Sequence, residues 1–274
     1  MRRHPLLKIA LMRDDLSSHI FISPEERDPL KLARKDSRPA LPKRFYKDVA
    51  IAAEPSGFAV TLDGRKVKTP AKAELILPVQ AAAEATAEEW RAQGDEIDPR
   101  TMPLTRLVNS ALDGVARDVP SVIEDIVRYA GSDLVCYRAA EPEGLVAAQS
   151  EAWDPVLAFA RDELGARFIC VEGVTFVEQP LRAIEAVREA VVQSTAERPL
   201  AVAALHVMTT LMGSVLLALA VARHELSLEA AWEAAHLDED FQMRAWGGDA
   251  EALERRAHHF KEMQAAAQLL HFVT

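Results

Sequence analysis

The chain has 274 residues, enough for one large or two modest domains, and its 49% hydrophobic and 27% charged residues are an ordinary balance for a soluble globular protein. A formal net charge of -10 argues against nucleic acid as the main partner and makes a basic or mixed protein surface the more natural target. Cys136 and Cys170 are the only cysteines. They stand too far apart in sequence for a zinc motif or a disulfide framework, which makes a reducing compartment the default.

Residues 1–43 read as an N-terminal arm. Arg2, Arg3 and His4 precede a short apolar run that Lys8 interrupts, and Arg13-Asp14-Asp15 follow without a small-residue cleavage pattern. That is not a secretory signal. A degenerate mitochondrial targeting sequence and a true start at Met12 both stay open. Pro24, Pro29, Pro39 and Pro42 punctuate the rest of the arm.

From residue 44 the pattern turns to β. Residues 49–53 read as a strand, Pro55-Ser56-Gly57 as a turn and 58–62 as a second strand. Asp63-Gly64 then predicts a type I′ hairpin leading into 65–69, because that turn needs positive φ at both central positions. Residues 75–77 make a short strand. Pro78 opens a helix that runs to about Gln93, with Gly94 as its stop, and 102–115 is a further helix. The segment 44–118 is therefore expected to be a small antiparallel sheet with helices packed on it.

The segment 119–274 reads as mainly helical. A helix opens at Pro120 or Ser121. Residues 134–137 and 168–171 are brief extended runs that can pair. Between them a helix over 144–164 is expected to be interrupted at Pro155. Further helices are expected near 181–197, 199–222, 227–246 and 249–270. The run 200–222 carries no formally charged side chain and is long enough to span a bilayer. Its alanines, mid-span polar groups and lack of flanking Trp or Tyr favour a buried helix, or two short ones. A membrane anchor is the competing reading. The fold class is α+β, with a small α/β unit followed by a larger helical one and the boundary at 118/119.

Near the end of the helix expected over 227–246 lies Asp238-Glu239-Asp240, followed by Phe241, Gln242 and Trp246. Gly247-Gly248 stop that helix, so the three carboxylates are expected at the negative end of its dipole, the unfavourable sign. Acids tolerated there are candidates for a partner contact; a solvated helix end is the plain alternative.

No catalytic constellation is found. The G-x-S-x-G elbow, the phosphate loop and the dinucleotide fingerprint are missing. His224-Glu225 lacks a second zincin histidine, and His258 and His259 are adjacent, so they point to different sides of a helix. Asp238 and Asp240 resemble the start of a calcium loop, but Met243 stands where that loop needs glycine. No metal and no cofactor are expected. Gln149, Trp153, Asp154 and Arg106 are further candidates, with core or scaffold roles as the competing reading.

Several segments together resemble the ATP synthase assembly chaperones that bind the free alpha subunit of the F1 head. They are Arg44-Phe45-Tyr46, Leu62-Asp63-Gly64-Arg65 with Thr69-Pro70, Glu88-Glu89-Trp90 with Gln93, and Met102-Pro103-Leu104-Thr105. Asn109 with Asp113, the run Asp133 to Arg138, Trp153-Asp154-Pro155, and Leu237 to Asp240 with Gln242 and Trp246-Gly247 complete the set. Their order and spacing carry the resemblance. It implies a two-domain, non-catalytic protein without a cofactor that holds the alpha subunit and prevents its aggregation. An acidic position late in the helical region, Asp238, Glu239 or Asp240, is implied to matter. Asp238, Glu239, Asp240, Phe241, Gln242 and Trp246 are the expected partner-binding residues. A monomer is expected, without nucleic acid or membrane insertion, in the bacterial cytoplasm or, in a eukaryote, the mitochondrial matrix. The runner-up is an enzyme using Asp238 or Glu239 with His236 as acid and base.

Overall fold

In a computed structural model, residues 41–274 are described, apart from the side chain of Trp246. The arm expected over 1–43 lies almost wholly outside these residues. Its end is tied down: Lys43 forms an antiparallel backbone β-bridge with Glu96, and the amide of the next residue, Arg44, donates to the Asp95 carbonyl at 2.8 Å.

Short strands build the sheet, and the central one, with Ala59, Val60, Thr61 and Leu62 all buried, is covered on both faces. β1 (Val49–Glu54) and β2 (Gly57–Leu62) pair antiparallel with Val49 opposite Leu62. β3 (Arg65–Lys66) returns along β2, and β4 (Ile76–Leu77) pairs with its other end. The turn between β2 and β3 has Asp63 at φ 49° and Gly64 at φ 77°, the positive values a type I′ turn demands. The Asp63 carboxylate also accepts the amides of Lys47 and Asp48, at 3.1 and 2.9 Å.

α1 (Gln80–Arg91) covers this sheet, and α2 (Pro103–Asp113) follows. The residue before α2, Met102, offers no side-chain cap. Glu89 of α1 takes that role from a distance: its carboxylate oxygens accept the Leu104 and Thr105 amides, each at 2.7 Å. At the other end of α2, Asp113 accepts the Thr69 hydroxyl at 2.6 Å and the Ala71 amide at 2.9 Å. Two of the motifs in the first segment are therefore fastenings between sheet and helices.

α3 (Val119–Arg128) starts at an Asp118 cap. The run 134–137 departs from the expected strand: Leu134–Cys136 is a turn of 3-10 helix, and only Tyr137–Arg138 is extended, as β5. β5 pairs in parallel with β6 (Val171–Glu172). α4 (Glu143–Asp162) lies between them and runs straight through Pro155. An internal proline removes one hydrogen bond and costs about 3 kcal/mol. Trp153, Val156, Phe159 and Ala160 are buried on both sides of it, and their burial offsets that cost.

After α5 (Leu181–Thr195) the apolar run divides in two. α6 (Pro199–Met212) ends on Gly213 at φ 65°, and α7 (Val215–Ala222) begins where the Ser214 hydroxyl accepts the Leu217 amide at 3.0 Å. Both helices are buried almost throughout, among α2, α3, α5 and the last helix. Among the described residues no helix is long and apolar enough to cross a membrane.

The helix expected over 227–246 is also two. α8 (Leu228–Ala235) is capped by Ser227, and α9 (Leu237–Trp246) starts afresh after His236. Asp238, Glu239 and Asp240 therefore occupy the first turn of α9. They face the positive end of a dipole, and the expectation of an unfavourable helix end is reversed. α10 (Ala250–Val273) closes the molecule by packing along α6 and reaching back to α2 and α1.

Candidate functional site

The first turn of α9 is fastened to two other elements. Gln149, buried within α4, donates from Nε2 to Asp238 Oδ1 at 2.7 Å, and its Oε1 accepts the Ala139 amide, also at 2.7 Å. Asp240 forms a bidentate ion pair with Arg256 of α10, one arm at 2.8 Å. The Arg256 hydrogen bonds hold the Asp240 carboxyl below the usual carboxylate range. Of the three acids, Glu239 is the one exposed to solvent.

The other predicted residues spread around this turn. Phe241 is half-buried over the start of α4, where a Cβ on Gly144 would meet its ring at 3.7 Å. Gln242 is exposed. The side chain of Trp246 lies outside the described residues. His236 is buried between α8 and α9: its ring lies tilted against Trp232 with centroids 4.0 Å apart, and Nδ1 sits 2.8 Å from the Trp232 carbonyl oxygen. Among the described residues no group of carboxylate, histidine and cysteine side chains is arranged to hold a metal ion.

Trp153, Asp154 and Arg138 form the support behind Gln149. Trp153 Nε1 donates to the Ala234 carbonyl at 2.8 Å, joining α4 to α8. Arg138 stacks 5.4 Å from the Trp153 ring and donates to Asp154 at 2.8 Å and to the Val135 carbonyl at 2.9 Å. Arg106, by contrast, is remote from this turn and pairs with Glu262 at 2.8 Å.

Beside the acidic turn, α4, α8, α9 and α10 leave a groove of about 1150 Å³. Its apolar lining includes Pro155, Trp232, Leu237, Met243 and Phe260, with Leu253 48% exposed at its edge. Glu151, Glu229, Glu233 and Asp240 contribute carboxylates to it, against the guanidiniums of Arg244 and Arg256. The sequence patterns gave no reason to join these elements, since the last helix carried little of the resemblance. Arg256 and Leu253 are the residues missed there; the run of three acids, a composition typical of a helix's first turn, was the one signal of a new helix after His236, which carries no side-chain cap.

A family model described as "ATP12 chaperone protein" matches residues 43–161. Among curated proteins, the mitochondrial protein atp12 of Schizosaccharomyces pombe is 24% identical over 140 residues, and the match spans 48% of its length. The chain thus aligns with about half of that relative. Solved structures agree over far more of the chain. Atp12 from Paracoccus denitrificans is 39% identical with a TM-score of 0.78, covering 85% of this chain and 99% of that one. A variant of the same Paracoccus protein, with lysine in place of an aspartate, superposes equally well, with a TM-score of 0.78. A candidate chaperone from Agrobacterium tumefaciens is 46% identical with a TM-score of 0.82, covering 98% of this chain and 99% of that one. Sequence identity at this level over 85–98% of this chain, together with the family model over residues 43–161, means that this protein belongs to the ATP12 chaperone family.

Proposed function

We propose that this protein is an assembly chaperone for the F1 head of the ATP synthase, that it holds the unassembled alpha subunit, and that it prevents that subunit from aggregating. The observation that carries the reading is the apolar groove between α8, α9 and α10 with carboxylates around it. An unassembled subunit exposes an interface that is normally covered, and a large apolar patch of that kind invites aggregation. A transient holder must cover the patch and still release it. Apolar side chains of the alpha subunit enter the groove, and basic residues beside them meet Glu239 and the groove carboxylates. Charge of this sort sets encounter rate and specificity more than depth of affinity. The role is non-catalytic.

The partner-binding set follows from that arrangement. Glu239, Gln242 and the Leu253 edge make the contact. Asp238 and Asp240 act mainly by holding α9 in place, through Gln149 and Arg256. Phe241 and Trp246 flank the same helix. The test is the light scattering of alpha subunit diluted from denaturant, alone and with equimolar chaperone. Wild type is expected to suppress the signal, and Leu253→Lys with Glu239→Lys to suppress it several-fold less while melting at the wild-type temperature. Equal suppression by both proteins sinks the groove reading, and no suppression by wild type sinks the holder function.

A further inference from the structure

β5 and β6 pair with Tyr137 opposite Val171 and Arg138 opposite Glu172. One step back along each chain stand Cys136 and Cys170. Their separation in sequence excluded a disulfide framework on paper; in space the register of β5 and β6 brings the two thiols beside each other. Both are free, with Cys136 buried and Cys170 exposed. Neither cysteine lies in a strand, but each immediately precedes a paired residue, Tyr137 or Val171; adjacent strands lie about 4.7–4.9 Å apart, inside the roughly 4.4–6.8 Å between Cα atoms that a disulfide spans. Cys170 opens onto a recess of about 260 Å³ that Arg138, Gln149, Ser150 and Glu172 also line.

We propose that Cys136 and Cys170 are a dithiol modification site, which low-molecular-weight disulfides of the oxidised-glutathione class convert to an intramolecular disulfide. The two thiols have different parts. The interaction with Cys136, helped by the Arg138 guanidinium, brings the Cys170 thiol below its usual range and makes it the readier thiolate of the two. The hydrogen bond to Cys170, together with burial, pushes the Cys136 thiol up. Cys170 thiolate attacks one sulfur of the small disulfide, forming a mixed disulfide and expelling one thiolate. With the negative charge on Cys170 gone, Cys136 loses its proton to solvent and attacks Cys170 Sγ. That step expels the second small thiolate, which picks up a proton. The balance is two protein thiols and one small disulfide giving one protein disulfide and two small thiols. The bridge closes a loop that contains all of α4, including the Gln149 that holds Asp238. It therefore makes the attachment of the acidic turn responsive to the thiol pool. The assignment does not rest on the chaperone function.

The test is incubation of the whole native chain with oxidised glutathione, followed by intact mass and non-reduced peptide mapping. Wild type is expected to lose two hydrogens and to yield a peptide cross-linked between Cys136 and Cys170. Cys136→Ser should stop at a stable glutathione adduct on Cys170, and Cys170→Ser should react at least tenfold more slowly. Cys136→Ala serves in place of the serine variant if a hydroxyl at that buried position unfolds the protein. Three results overturn the proposal: a wild-type adduct that persists on Cys170 beside a free Cys136, first attack at Cys136, or two thiols that stay unreacted in the native chain while the denatured chain is oxidised.

Discussion

Gln149 and Asp238 stand 89 positions apart and meet at 2.7 Å, with the glutamine buried in α4 and the aspartate in the first turn of α9. The same glutamine accepts the Ala139 amide, so one side chain fixes the β5 end, α4 and α9 together. Gln149→Leu keeps the volume and leaves that amide and the inner lone pair of Asp238 unsatisfied. A loss of about 2–4 kcal/mol in urea unfolding is expected, toward the lower end of about 1–3 kcal/mol for each stranded group because both keep some solvent access. Asp238→Asn, which keeps an acceptor oxygen, should lose less. Similar losses for both variants would remove the link as an organising contact.

Asp133 gives the fold a pH dependence of its own. Fully buried, it accepts the Val135 and Leu216 amides at 3.2 and 3.1 Å and so anchors the start of α7. Burial pushes its carboxyl from 3.8 to about 6, against those hydrogen bonds. A raised folded-state value means that its contribution is complete below the unfolded value and is lost as pH rises through the folded one. That gap corresponds to about 3 kcal/mol. Asp133→Asn should be less stable than wild type at pH ~4, where both side chains are neutral but only the acid matches both amides, and the deficit should shrink toward pH ~7. Parallel stability curves for the two proteins across that window would contradict the assignment.

The Asp240–Arg256 pair predicts the opposite slope. Arg256 holds the Asp240 carboxyl low, so the pair stabilises the fold above the ordinary carboxylate range and fails as pH falls through the lowered value. Arg256→Gln should destabilise the protein at neutral pH and converge with wild type in acid. Because α9 is tied to α10 through this pair, amides of α9 should exchange faster in the variant. Unchanged α9 exchange would show that the pair only decorates the surface.

We propose a division of the chain at 118/119, where the sheet-bearing segment gives way to helices. α2 of the first segment nonetheless packs on α6 and α10 of the second. Fragments 44–118 and 119–274 produced separately should each be destabilised by exposure of that contact and should reassociate when mixed, restoring a cooperative melt. Failure to reassociate, with neither fragment folding alone, would leave no basis for the division.

The legible parts of the fold were those set by short-range rules. Asp63-Gly64 announces its turn because few residues tolerate positive φ there, and the short strands and the burial of 200–222 follow from patterning, whereas its division at Gly213-Ser214 stayed open between one helix and two. The break at His236 was hidden because Trp232, Ala235 and Leu237 continue one apolar stripe across it. Missing it inverted the dipole argument for Asp238, Glu239 and Asp240. Pro155 misled in the other direction: tertiary burial of Trp153 and Phe159 overrides a local helix breaker. The Gln149–Asp238 link, the Asp240–Arg256 pair and the meeting of Cys136 with Cys170 are long-range contacts that no periodicity encodes.

The location of the alpha-subunit contact is tested most directly by hydrogen–deuterium exchange of the whole chain, measured with and without purified alpha subunit. A contact at the groove predicts slowed exchange concentrated in α9 and the groove-facing turns of α8 and α10, with the β1–β4 sheet unchanged. Protection confined to the sheet, or no protection at saturating alpha subunit, would contradict it.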